Sequence, residues 1–148
     1  MAAISKAYGK LAQHLFLGRI NWQAEGGSTI KCALLKNTYI PDQDTDTTWE
    51  DISSHEVSGT GYTPGGNTLV LRDVAYDPDT NTLKVDAEDT LWPELTLTAR
   101  HSVVYVEGAT DAESWLIAYT DFGVDKPLEE ESLKVIFNIA GIVSVSVA

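Results

Sequence analysis

Asp42, Asp44 and Asp46 alternate in Asp42-Gln43-Asp44-Thr45-Asp46, the oxygen pattern with which a calcium-binding loop begins. The pattern then stops. Its sixth position is Thr47 instead of glycine and its twelfth is Ser53 instead of glutamate, so a solvated acidic loop accounts for it. A glycine-dense segment, Gly59-Thr60-Gly61-Tyr62-Thr63-Pro64-Gly65-Gly66, has proline at the third glycine position of a dinucleotide loop, and no βαβ pattern follows it. It reads as a turn-rich loop that presents one aromatic ring. His14, His55 and His101 share no metal-ligand spacing, Cys32 is alone, and no Gly-x-Ser-x-Gly elbow is present. Nothing in the spacing of the carboxylates pairs any two of them for acid–base work. The residues therefore assign no catalytic set, no metal and no cofactor, and the expectation is a protein that is not an enzyme.

The elements that would carry these residues are mostly strands. At the start, Ile4, Tyr8, Leu11 and Leu15 recur at the spacing of one helical face, with Gly18 where a helix would end, although Gly9 weakens that pattern. From Ile30 onward, β-branched and aromatic runs alternate with clusters of Gly, Pro, Asp and Asn. Leu69 to Glu88 predicts a hairpin closed by the turn Asp77-Pro78-Asp79-Thr80-Asn81. Leu69 and Leu71 are expected to face one way, and a parity slip near Arg72-Asp73 suggests a bulge. Leu95, Leu97 and Ala99 alternate with polar residues. By contrast, Val103 to Val106 and Trp115 to Phe122 are apolar on both parities and read as deeply buried. Leu133 to Ile139 and Val143 to Val147 alternate again, and the uncharged last strand needs a partner or a cover. About seven or eight strands without interleaved helices predict an all-β, antiparallel β-sandwich, jelly-roll-like in outline. The expected organisation is a basic amphipathic arm over 1–24, helical or extended, followed by a single sandwich domain over 25–148.

Composition narrows the partners. The chain has 148 residues, 10 Lys+Arg and 22 Asp+Glu, for a net charge of −12. That acidity argues against coating DNA or RNA, which requires clustered cations. The start shows no signal-peptide-like apolar stretch, and no apolar run approaches the ~20 residues of a membrane-spanning helix. Neither nucleic acid nor membrane is an expected partner. Charge is nonetheless uneven: residues 1–24 carry Lys6, Lys10 and Arg19 and no acid, whereas residues 25–148 carry 7 cations and 22 acids. This layout suggests that the first segment docks on a partner or a neighbouring subunit while the acidic body faces solvent.

Several segments together resemble a family of small virion structural proteins of tailed bacteriophages, over about Ile30 to Val147. The most specific pieces are Tyr39-x-Pro41-Asp42-x-Asp44-Thr45, Glu56-Val57-Ser58-Gly59-Thr60-Gly61-Tyr62-Thr63-x-Gly65-Gly66 and Ala118-Tyr119-x-Asp121-Phe122-Gly123. The resemblance implies a β-sandwich subunit of the virion, a head decoration, head-fibre or tail-associated protein made in the bacterial cytoplasm. Its partners would be other virion proteins, such as a major capsid protein or a head or tail component. It would also be a homo-oligomer, with a trimer as the expected order. On this reading Ile4, Lys6, Tyr8, Lys10, Leu11, Leu15, Arg19 and Trp22 are the assembly and anchor candidates. The alternative is a tail or baseplate accessory protein that binds host-surface glycan through exposed loops, with Asp42, Asp44, Asp46, Trp49 and Tyr62 as its candidates.

Overall fold

In the computed structural model, residues 3–138 and 141–147 are described, and they form an all-β protein of two antiparallel sheets. Its elements, in chain order, are β1 (Ile4–Ala7), α1 (Leu11–Phe16), β2 (Thr29–Leu35), α2 (Trp49–Ile52), β3 (Asn67–Thr68), β4 (Asp73–Asp77), β5 (Thr82–Asp86), β6 (Thr90–Glu107), β7 (Leu116–Val135) and β8 (Val143–Ser146). The larger sheet has the order β1-β7-β6-β2-β3 and the smaller β4-β5-β8. The expected sandwich of antiparallel strands is therefore present.

The frame is the long β6–β7 hairpin, whose register runs from Thr90 opposite Val135 to Tyr105 opposite Leu116 and is interrupted by four irregularities. One irregularity lies between Trp92 and Leu95 and takes in Pro93, which has no N–H to give to a ladder. Along β2, Ile30, Cys32 and Leu34 join one apolar cluster with Val104, Val106 and Ile117. Ala33 and Leu35 point the other way, into a second cluster with Tyr8, Tyr39, Trp49, Ile52, Val103 and Tyr105. Both faces of the central strands are covered, which is why Val103–Val106 and Leu116–Tyr119 carry apolar residues on both parities. Cys32 is a free, fully buried thiol whose pKa burial pushes up to about 12, in keeping with its role as a small hydrophobe.

Two expectations need correction. The stripe Ile4, Tyr8, Leu11 and Leu15 does not lie on one helix. Ile4–Ala7 pairs with Asp121–Ala118 of β7 instead of beginning a helix, and helix starts only at Leu11 because Gly9 turns its N–H onto the Gln43 carbonyl at 2.8 Å. Tyr8, Leu11, Ile20 and Trp22 are then buried in the sandwich. Nor do Leu69 and Leu71 share a face: Leu71 adopts a positive φ of 49°, Leu69 bonds the Ile30 carbonyl and is buried, and β4 begins only at Asp73. The predicted turn does form, with Asp77 accepting from the Asp79 N–H at 2.9 Å and Asn81 at φ 52°. The final strand is paired, Val143 with Val85 and Val145 with Leu83; the Ile139 end of the preceding alternating run lies outside the described residues.

Tyr8 is 2% exposed, whereas Phe16, eight residues on, is 93% exposed. Tyr8→Ala is expected to cost about 3 kcal/mol or more in urea unfolding, and Phe16→Ala no more than about 0.5 kcal/mol. Equal, small losses would show the first segment to be peripheral to the core.

Candidate functional site

The small sheet has one apolar face. Its cross-strand rows are Val74–Val85–Val143 and Tyr76–Leu83–Val145, while Asp73, Ala75, Asp77, Thr82, Lys84, Asp86, Ser144 and Ser146 alternate onto the other side. Val85 and Val143 pack on the core. The rest of the face is only half covered, leaving Val74 48%, Tyr76 51% and Val145 47% exposed. Opposite these strands, Leu11, Ala12 and Leu15 of α1 form a second wall, and together the two walls bound a cleft of about 180 Å³ lined wholly by apolar residues. Phe16 and Leu17 project from the end of α1, which Gly18 terminates at φ 71°.

A clamp of three side chains holds α1 in place. His14 stacks on Trp115 with ring centroids 4.4 Å apart, and the Arg19 guanidinium lies 4.7 Å over the same indole. Arg19 Nη1 donates to His14 Nδ1 at 3.2 Å. Nδ1 is therefore the acceptor nitrogen, and the ring proton sits on Nε2, which is buried with no hydrogen-bond partner among the described residues. Burial, then Arg19 and Lys10, hold the His14 pKa below the usual histidine value.

On the loop side, Trp49 and Tyr105 stack at 4.5 Å and 11° in the floor of a polar groove of about 430 Å³. Lys31 pairs with Glu107 across it at 3.1 Å. Glu56 Oε1 accepts from the Tyr62 hydroxyl at 2.7 Å and from the Gly65 N–H at 2.6 Å, while the Tyr62 oxygen accepts from the Leu34 N–H at 3.2 Å. Tyr62 is thus a strut between loop and sheet. The acidic loop is tied up in the same way. Asp42 Oδ1 accepts from the N–H groups of Asp44 and Thr45, and the Thr45 hydroxyl, then these two N–H groups, lower its pKa. Asp46 Oδ2 accepts from the Asp42 N–H at 3.0 Å and from the Tyr39 hydroxyl at 2.8 Å, and Tyr39 in turn bonds Tyr8 at 2.8 Å. Farther along the sheet, Arg100 Nε donates to Asp121 Oδ1 at 2.8 Å, keeping that carboxyl below the ordinary aspartate range, and Arg100 Nη1 reaches Asp125 Oδ1 at 3.5 Å. These contacts organise loops and strands. Among the described residues, no three His, Cys, Asp or Glu side chains converge in a way that would hold a metal ion.

The anchor candidates consequently divide. Ile4, Lys6, Lys10, Leu15 and Arg19 are exposed, whereas Tyr8, Leu11 and Trp22 are spent on the protein's own core, Trp22 also donating its indole N–H to the Asp86 carbonyl at 3.0 Å. The loop candidates divide as well. Asp42 and Asp44 are exposed and Asp46 half-buried, but Trp49 and Tyr62 are buried, so neither ring offers a free face at a loop tip. Phe16, Leu17, Val74, Tyr76 and Val145 were not singled out from sequence. For Val74, Tyr76 and Val145 the signal was the alternation on their strands, which shows an apolar face but not which end of it the chain leaves uncovered. Comparison of the chain with protein-family models, curated proteins and solved structures finds no match.

Because the His14 pKa is lower in the folded chain than in the unfolded one, the unfolded state takes up the proton first as pH falls below about 6.5. The clamp's contribution is thus complete above that pH and is lost on acidification through the folded value. Thermal unfolding between pH 7.5 and 5 is expected to show a smaller drop in Tm for His14→Phe than for the wild type. An unchanged pH slope would refute the assignment.

Proposed function

We propose that the protein is a non-enzymatic structural subunit of a bacteriophage virion, a capsid decoration or head-fibre subunit anchored through its N-terminal region. The observation that carries the anchoring is the position of β1. It is the terminal strand of the five-stranded sheet, all four of its residues are exposed, and its outer edge is paired with no described strand. Such an edge presents a row of backbone N–H and C=O groups to a partner strand. Ile4 adds an exposed apolar side chain on the same side as Lys6, with Lys10 just beyond, so edge pairing, apolar burial and positive charge act together on one partner. The resemblance of segments over about Ile30 to Val147 to small virion proteins supports the same reading. The glycan-binding alternative has weaker support, because the rings that would stack on a sugar are packed against other side chains.

Two linked experiments test this. Antibody-gold labelling of purified virions is expected to place many copies over the head. Unlabelled virions would overturn the structural role, and gold confined to the tail would move the protein to the accessory reading. The double variant Ile4→Asp/Lys6→Asp is expected to melt within a few degrees of the wild type yet enter particles at one-tenth the level or less. Undiminished incorporation would remove β1 as the anchor.

A further inference from the structure

We propose that β1 binds an antiparallel extended segment of a different protein through the backbone of Ser5 and Ala7, that the Gln43 carbonyl stops this added strand, and that the segment sets a carboxylate opposite Lys6. The proposal rests on the reading of β1 as the anchor.

Register fixes which backbone groups are free. The β1–β7 ladder runs from Ile4 opposite Asp121 to Ala7 opposite Ala118, which puts Tyr8 opposite Ile117, and the Tyr8 N–H bonds the Ile117 carbonyl at 3.0 Å. Tyr8 and Ile117 are therefore a hydrogen-bonded pair. Such pairs alternate along an antiparallel ladder, so Ile4 and Lys6 also turn their N–H and C=O groups toward β7, while Ser5 and Ala7 turn theirs to the outer edge. Gly9 is next in that outward series, and its N–H is already given to the Gln43 carbonyl at 2.8 Å. The free edge is thus the N–H and C=O groups of Ser5 and Ala7, and it ends at the acidic loop.

That end is a firm one. A Cβ on residue 9 would lie 2.9 Å from the Gln43 oxygen, so glycine is what lets the loop approach the strand. Asp42 and Asp46 brace the loop from within, and Asp46 also accepts from the Tyr39 hydroxyl, which bonds the Tyr8 hydroxyl at 2.8 Å. The stop selects the direction of the added strand. An antiparallel strand bonds Ser5 and Ala7 through the two residues directly opposite them. A parallel strand makes slanted bonds and needs a further donor opposite Tyr8, beside the occupied Gly9. The antiparallel strand fits short of the stop.

Side chains then describe the partner. Residues directly opposite one another in neighbouring strands have their side chains on the same face, where opposite charges attract and like charges destabilise. The middle residue of the added segment faces Lys6, which is exposed and belongs to none of the ion pairs among the described residues. A carboxylate there pairs with it. A second copy of β1 is disfavoured on the same ground, since a two-fold that pairs Ser5 with Ala7 of the other copy sets Lys6 against Lys6.

Two measurements test this. Ala7→Pro removes an outward N–H and no inward one, a place where an edge strand tolerates proline. It is expected to melt within a few degrees of the wild type yet enter particles at about one-tenth the wild-type level or less. Lys6→Glu is expected to enter at a lower level than Lys6→Gln, and equal levels would remove the carboxylate from the partner. Undiminished incorporation of Ala7→Pro, with Ile4→Asp/Lys6→Asp still impaired, would overturn strand addition and leave a side-chain anchor; undiminished incorporation of both would overturn the anchor reading itself. Amide exchange of the free wild-type chain by NMR tests the register without any variant. Lys6, Tyr8 and Gly9 are expected to be protected, and Ser5 and Ala7 to exchange at near-unprotected rates. Protection of Ser5 and Ala7 would overturn the free edge, and free exchange at Gly9 would overturn the stop.

Discussion

Burial of the central strands on both faces is the constraint from which the rest of the molecule follows. β2, β6 and β7 place apolar side chains above and below the sheet, so the chain must supply two covering layers around one sheet. On one side the cover is the small sheet with Leu11, Ile20 and Trp22. On the other it is the segment between β2 and β3, which brings Tyr39, Trp49 and Ile52 down beside Tyr8. The second layer is aromatic and short of regular structure, and it keeps its polar groups bonded through the Tyr8–Tyr39–Asp46 chain and the capping box at Thr48 and Asp51.

The same constraint explains why the acidic loops do little that faces outward. Each turn that carries the chain over the sheet has free N–H groups, and Asp42, Asp46, Asp51 and Asp77 accept from them. The carboxylates are turn-formers before they are ligands. What the covering layers leave undone is on the opposite side, where Val74, Tyr76 and Val145 of the small sheet stay about half exposed. The exposed end of an apolar face is thus what the building of the first layer leaves over.

Much of the strand framework was legible in the one-dimensional pattern. Two-parity runs at Val103–Val106 and Leu116–Tyr119 identify strands covered on both sides, and Asp77-Pro78-Asp79-Thr80-Asn81 carries its turn chemistry within itself. The first segment was harder, because Ile4, Tyr8, Leu11 and Leu15 fit a helical stripe equally well whether or not residue 9 turns the chain. The decision rests on bonds to Gln43 and β7, both remote in sequence. Trp49 and Tyr62 were misplaced for a related reason. Trp49 opens the one-turn α2 and Tyr62 sits in a loop, yet Trp49 is buried by Tyr105 and Tyr62 is held by Leu34 and Glu56, contacts that no local spacing reveals. The uncovered end of the small sheet was likewise invisible, since an alternating strand looks the same whether its apolar face is fully or half covered.

The central claim is that residues 4–22 are an integral part of the sandwich, closing both of its covering layers. Native-state hydrogen exchange resolved by residue tests it most directly. The account predicts that the Tyr8 amide, bonded to the Ile117 carbonyl at 3.0 Å, and the His14 amide, bonded to Lys10 at 3.0 Å, exchange only in openings that also release β2 and β6. Exchange of both amides at near-unprotected rates, with β2 and β6 still protected, would contradict it.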